Sequence, residues 1–218
     1  MIRIAVVVGS TRPGRRGAGV ARWVEEAAGR HAAAKAGEAA VELVDIAEYG
    51  LPLLDEPLPA IFGDYRNPHT VRWAETIRSF DAFVFVTPEY NHSVPAALKN
   101  AIDYLYAEWH DKAAGIVGYG VEGGIRAAEH LRLVLAETKV AVVGTQVALS
   151  MFTDIVVTDP ADPGVLSPTE RQQKAMTAML DEVVAWSRAL RPLREPAGTG
   201  DGLPPVSLSA ARPGGSAQ

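Results

Sequence analysis

The chain contains no cysteine, which removes disulfides, thiolate metal sites and cysteine nucleophiles together. Its histidines, His31, His69, His92, His110 and His130, never stand three or four residues apart, and no His-Glu-x-x-His pattern occurs, so no metal site is expected. Gly-x-Ser-x-Gly is absent, which leaves a hydrolase elbow without support. No apolar run approaches the roughly 18 residues that a membrane span requires. The N-terminus enters a strand directly, without the charged, apolar and cleavage regions of a signal peptide, so a cytoplasmic protein with no membrane partner is expected. Positive charge is also scarce: 21 Lys and Arg face 26 Asp and Glu, and no basic stripe exists to follow a phosphate backbone, so no nucleic-acid partner is expected. Arg12, Arg15 and Arg16 form the one compact basic cluster.

With 218 residues, 48% hydrophobic and 22% charged, the remainder is an ordinary composition able to build one sizeable core. Ile2 to Val8 reads as a buried central strand, followed by a loop from Thr11 to Gly19 and a helix carrying Val20, Trp23, Val24, Ala27 and Ala28. Val41 to Ile46 alternates as an edge strand should, and Tyr49 to Arg66 has no clear period and reads as a long surface loop. Asn67-Pro68 opens a helix with Val71, Ala74, Ile77 and Phe80 as its apolar positions. Ala113 to Gly118 is a further buried strand, leading to a helix with Ile125, Ala128, Leu131, Val134 and Leu135 on one face. Val140 to Met151 holds the last strand. Ser167-Pro168-Thr169-Glu170 has the form of a capping box with proline at the first helical position, opening the final helix. Five strands alternating with five helices imply a parallel sheet covered on both faces. The expected division is a domain over 1–191 and a Pro/Gly-rich flexible tail over 192–218.

The most informative stretch runs from Phe83 to Pro95. Its apolar, β-branched and aromatic beginning is a strand buried on both faces, and its abruptly polar end is a loop at the strand's carboxyl edge. Pro88 and Asn91 stop the strand, Ser93 is placed to cap the next helix, and Pro95 suits its first turn. Open α/β sheets bind ligands at such edges. The loop after the first strand comes near a phosphate-binding loop through Gly9, Gly14, Arg15 and Arg16. It lacks the Lys and Ser/Thr that would hold Mg²⁺, and no Gly-x-Gly-x-x-Gly occurs. What remains is a cradle for one phosphate, made by the Ser10 hydroxyl, the Arg12 guanidinium, loop N–H groups and a helix N-terminus. Tyr104, Tyr106 and Trp109 leave two readings open, a partly buried helix end or an aromatic subunit interface.

Three motifs stand in order along the chain: Gly9-Ser10-x-Arg12; Pro88-Glu89-Tyr90-Asn91 followed by Leu98 to Asp103; and Tyr119-Gly120 before Gly123-Gly124. On these the chain, over about residues 2 to 190, resembles the NADPH-dependent FMN reductase family. The resemblance implies a flavodoxin-like three-layer α/β sandwich with a five-stranded parallel sheet in the order 2-1-3-4-5. That order and the FMN position at its switch point follow a known rule for this fold, flavodoxin being its named example. It further implies FMN as cofactor, NADPH or NADH as electron donor, a small-molecule electron acceptor and a homodimer or homotetramer. Ser10, Arg12, Arg16 and Gly17 would hold the phosphate, Gly17 standing where several relatives carry a hydrogen-bonding side chain. Pro88, Glu89, Tyr90, Asn91, His92, Gly118, Tyr119 and Gly120 would edge the isoalloxazine, and glycines 118 to 124 would leave room for nicotinamide. No catalytic side chain is implied, because the flavin carries the chemistry. The alternatives are a flavodoxin-type electron carrier and a non-catalytic FMN-binding module.

Overall fold

The computed structural model describes residues 1–157, 159 and 162–194. In chain order these form β1 Ile2–Val8, α1 Gly17–Gly29, the short α2 Ala32–Lys35, β2 Ala39–Asp45, α3 Pro68–Arg78, β3 Ala82–Pro88, α4 Ala96–Asp103, β4 Ala113–Gly120, α5 Ile125–Glu137, β5 Ala141–Ser150, a small hairpin of β6 Ile155–Val156 and β7 Val165–Leu166, and α6 Glu170–Arg194. The first five strands make one parallel sheet in the order β2-β1-β3-β4-β5, the order expected. The period of two along each strand divides the core. Val6, Val8, Val84, Val86 and Val117 face α1 and α6, whereas Val7, Phe83, Phe85 and Ile116 face α3, α4 and α5. β3 and β4 are buried throughout, which explains their unbroken apolar sequence, and β2, at the edge, is only partly buried, with Leu43 exposed against the alternation expected of it.

Several local expectations are corrected. α1 begins at Gly17, so the loop after β1 is shorter than Thr11 to Gly19. Ser93 does not cap α4. The chain enters that helix through Pro95, and the Ser93 hydroxyl meets His130 Nδ1 at 2.9 Å instead. Asn67 precedes α3 without a side-chain cap, because its amide is turned to the Asp55 carbonyl and carboxylate. Val71 and Ile125 are exposed, and the buried ridge of α3 runs through Trp73, Ala74 and Ile77. Pro168 stands before α6, which starts at Glu170, so it is not in the first helical turn. α6 continues through Pro192 to Arg194, and the rest of the expected tail, 195–218, lies outside the described residues.

Tyr104 and Trp109 are fully buried, which removes them as an exposed aromatic interface. The Trp109 ring lies 5.0 Å from Phe83 and 6.1 Å from Trp73, edge to face, and its indole N–H donates to the Ile102 carbonyl at 3.2 Å. The Leu98 to Asp103 segment is likewise structural in large part. Asn100 accepts from Leu54 N–H at 2.9 Å and donates to the Pro52 carbonyl at 2.6 Å, pinning the long loop after β2, and Lys99 pairs with Asp103 one helical turn on.

Candidate active site at the carboxyl edge of the sheet

β1, β3 and β4 are neighbours, so the loops that follow them meet at one edge. β3 stays in register with β4 as far as Pro88 opposite Tyr119, and Glu89 N–H then donates to the Tyr119 carbonyl at 3.1 Å. The next four residues close on themselves, Tyr90 N–H donating to Ser93 carbonyl at 2.9 Å and Ser93 N–H to Tyr90 carbonyl at 3.1 Å. The two residues between, Asn91 and His92, both have positive φ, 47° and 73°. A two-residue turn with both centres in this region is the mirror-image type that favours Asn at its first position, and a histidine at the second carries strain. The turn leaves the N–H groups of Asn91 and His92 without a partner among the described residues, on an exposed rim.

The Tyr90 hydroxyl reaches back to Ser10 Oγ at 3.0 Å and ties this elbow to the loop after β1. Ser10 is completely buried, and Arg16 stands immediately before α1 without giving it a side-chain cap. Arg15 is engaged in an ion pair with Asp45 at the end of β2. Arg12 is exposed. Arg15 Nε, Arg16 Nε and the Tyr119 hydroxyl are buried without a partner among the described residues. Burial pushes the Tyr119 phenol well above its ordinary range and nearby Tyr90 adds to this, while Ser10, Arg12 and Arg15 pull it back. The hydroxyl is therefore a donor at any ordinary pH.

Two predicted residues have a different surrounding from that expected. The Glu89 carboxylate is nearly buried and is held at the start of α5, by Arg126 N–H at 3.1 Å and Arg126 Nη1 at 2.5 Å, where a helix N-terminus favours an anion. Glycines 118 to 124 are small because the loop folds back on its own strand. A Cβ on Gly118 would stand 2.8 Å from the Gly123 carbonyl oxygen, and one on Gly124 would stand 2.6 Å from Tyr119 N. Gly123 and Gly124 also have φ near 70°. Gly118 is buried, and of these glycines Gly120 is the one that borders the cleft.

Between the three loops lies a narrow cleft of about 60 Å³, lined by Arg12, Arg16, Pro88, Glu89, Tyr90, Tyr119, Gly120 and Met151. Gly17 lies beside it under Tyr119, whereas Ser10, which is fully buried behind Tyr90, and Asn91, His92 and Gly118 are not among its walls. Met151 was missed by sequence reasoning. The strand order carried the signal, since β5 borders β4 and its end must share this edge, and Met151 N–H donates to the Gly120 carbonyl at 2.9 Å. Phe152 beside it is 80% exposed. Among the described residues no group of three or more His, Asp or Glu side chains is placed to hold a metal ion, and no helix is long and apolar enough to cross a membrane.

Residues 2–154 match the family model described as NADPH-dependent FMN reductase. An NAD(P)H-dependent FMN reductase of Schizosaccharomyces pombe is 40% identical over 165 residues, covering 75% of this chain and 80% of the relative. Another of that name from a Nectria species is 36% identical over 183 residues, covering 80% and 87%. Among solved structures, the flavoenzyme NAD(P)H:acceptor oxidoreductase FerB of Paracoccus denitrificans superposes with a TM-score of 0.65 at 24% identity, covering 87% of this chain and 98% of that one, a likeness of fold.

Proposed function

The chain belongs to the NADPH-dependent FMN reductase family, and from that premise we propose that it passes two electrons from NADPH or NADH through bound FMN to a free flavin, quinone or similar acceptor by a ping-pong mechanism. One observation carries the reading to these residues. The buried, partnerless Arg16 Nε and Tyr119 hydroxyl gather with the Ser10 hydroxyl at the uncapped start of α1. Buried donors without acceptors are costly and fit a ligand that supplies them. A phosphate monoester, with several charged oxygens, suits a guanidinium, hydroxyls and a helix N-terminus.

In this reading Arg12 and Arg16 hold the phosphate in the cleft with Ser10 just behind its wall, and the ring system lies across the exposed rim of Tyr90, Asn91 and His92, beside Pro88 and Gly120. Bound FMN would supply the redox chemistry, taking a hydride from nicotinamide and delivering electrons to the acceptor. The chain's part is to orient. The free N–H groups of Asn91 and His92 offer donors to an edge of the ring where negative charge grows on reduction. Glu89, locked to Arg126, fixes the elbow against α5, and the guanidinium offsets its negative charge. With the phosphate end narrow and the rim open, nicotinamide and acceptor would use the same exposed surface in turn. A quinone reductase of Pseudomonas putida, 38% identical over 137 residues, supports the acceptor class. Exposed Leu53, Ile61 and Phe62 on the loop before α3 support a homodimer or homotetramer, to be read as a mass above that of one chain in light scattering. A cytoplasmic location remains part of the same proposal.

Initial rates against NADPH at several fixed quinone concentrations test the mechanism. Parallel reciprocal plots are expected, and intersecting plots would mean that both substrates bind together.

A further inference from the structure

Gly17 and Tyr119 form a pair that the sequence does not announce. Gly17 is the first residue of α1, where a side chain could donate to an anion at the helix start. It has none, and a Cβ built there would stand 2.8 Å from the Tyr119 hydroxyl oxygen, well inside contact distance. The phenol group thus occupies the place that a side chain at position 17 would take. β4 fixes this arrangement: Tyr119 is held in register opposite Pro88 on one side and Leu149 on the other, with its ring among the core residues that face α1. The ring is only 5% exposed, and its hydroxyl has no hydrogen-bond partner among the described residues. A hydroxyl so deeply buried and unmatched is costly unless an acceptor arrives.

We propose that the Tyr119 hydroxyl is a phosphate donor that replaces the side chain absent at Gly17, so that a residue of the fourth strand takes part in distinguishing FMN from riboflavin. This rests on the reading of the edge as an FMN site, and it moves Tyr119 from the isoalloxazine border to the phosphate end. Arg12 and Arg16 supply charge there. Tyr119 supplies a fixed, neutral donor beside the helix start, aimed from the sheet and held rigid by its burial.

The test compares FMN and riboflavin affinities, by quenching of flavin fluorescence, for the wild-type protein, Tyr119→Phe, Gly17→Ser and the double variant. Tyr119→Phe should weaken FMN by about 10- to 100-fold, the range for a hydrogen bond to a charged group, and leave riboflavin unchanged. Gly17→Ser alone should weaken FMN, because its side chain collides with the phenol. In the double variant the collision disappears, since the nearest ring carbon to the new Cβ is 3.6 Å away, and the serine hydroxyl restores the donor, so FMN affinity should recover. Unchanged FMN affinity in Tyr119→Phe, or an equal loss for both flavins, would overturn the inference while the FMN site stands. If the wild-type protein bound neither flavin, the reading of the edge itself would fall.

Discussion

The two ends of the central strands both bury polar groups, and they treat them differently. At the amino end, Lys112 is 5% exposed and donates to the Ile77 carbonyl at 2.8 Å, closing the last turn of α3. Glu108 accepts from Tyr65 hydroxyl and Arg78, both at 2.8 Å, and Arg194 binds the Asp111 carbonyl at 2.8 Å and Asp81 at 3.0 Å. Each of these charges has its partner, although a cleft of about 400 Å³ opens among them. The only buried side-chain polar atom without one there, among the described residues, is His110 Nε2, on a ring that burial keeps neutral more readily than usual. At the carboxyl end the cleft is far smaller, yet Arg16 Nε and the Tyr119 hydroxyl are left unmatched, while backbone strain does not separate the two ends, since Asn91 and His92 at one and Asp111 and Lys139 at the other all have positive φ. Cavity size therefore misleads here. In the proposed reading, unmatched donors mark the ligand site and matched charges mark the scaffold.

This contrast can be broken by exchanging the damage. Arg16→Ala, at the carboxyl end, should weaken FMN by about 10- to 100-fold with the thermal midpoint almost unmoved; equal losses in binding and stability would make Arg16 part of the scaffold. Lys112→Met, at the amino end, should leave FMN affinity intact and change how stability depends on pH. Burial is the largest cause that brings the folded-state Lys112 down to about 7, from an ordinary value of 10.5. A depressed amine means that the unfolded chain binds the extra proton between those values, so Lys112 penalises folding fully below about pH 7 and progressively less above it. Relative to Lys112→Met, the wild-type protein should gain at least about 1.4 kcal/mol of unfolding free energy between about pH 7 and about pH 9.5, one tenfold change in proton affinity. A constant difference between the two proteins across that range would show that Lys112 keeps its ordinary affinity.

The burial of β3 and β4 was legible in the hydrophobic period, and the order of the sheet and the meeting of three loops followed from the family resemblance that the motifs carry. The family motifs were legible too, but not the work of each residue within them. Glu89 lines the cleft, and nothing in the sequence shows that Arg126 also holds its carboxylate, while Asn100 reads as part of a signature until it is seen to pin Pro52 and Leu54. Trp109 looks like an interface aromatic, since nothing local reveals that Trp73, Phe83 and Phe85 enclose it. Gly17 and Tyr119 are far apart in sequence, and only the packing of β4 under α1 makes them one feature. Long-range contacts decide these cases, and periodicity carries no record of them.

The central claim is that the unmatched donors at the carboxyl edge serve FMN. The most direct measurement is a titration of the purified protein with FMN, followed by absorbance and by quenching of flavin fluorescence. A saturable shift at a fixed stoichiometry, tighter for FMN than for riboflavin, is the predicted result. Absence of any spectral change or heat of binding with FMN would contradict the account.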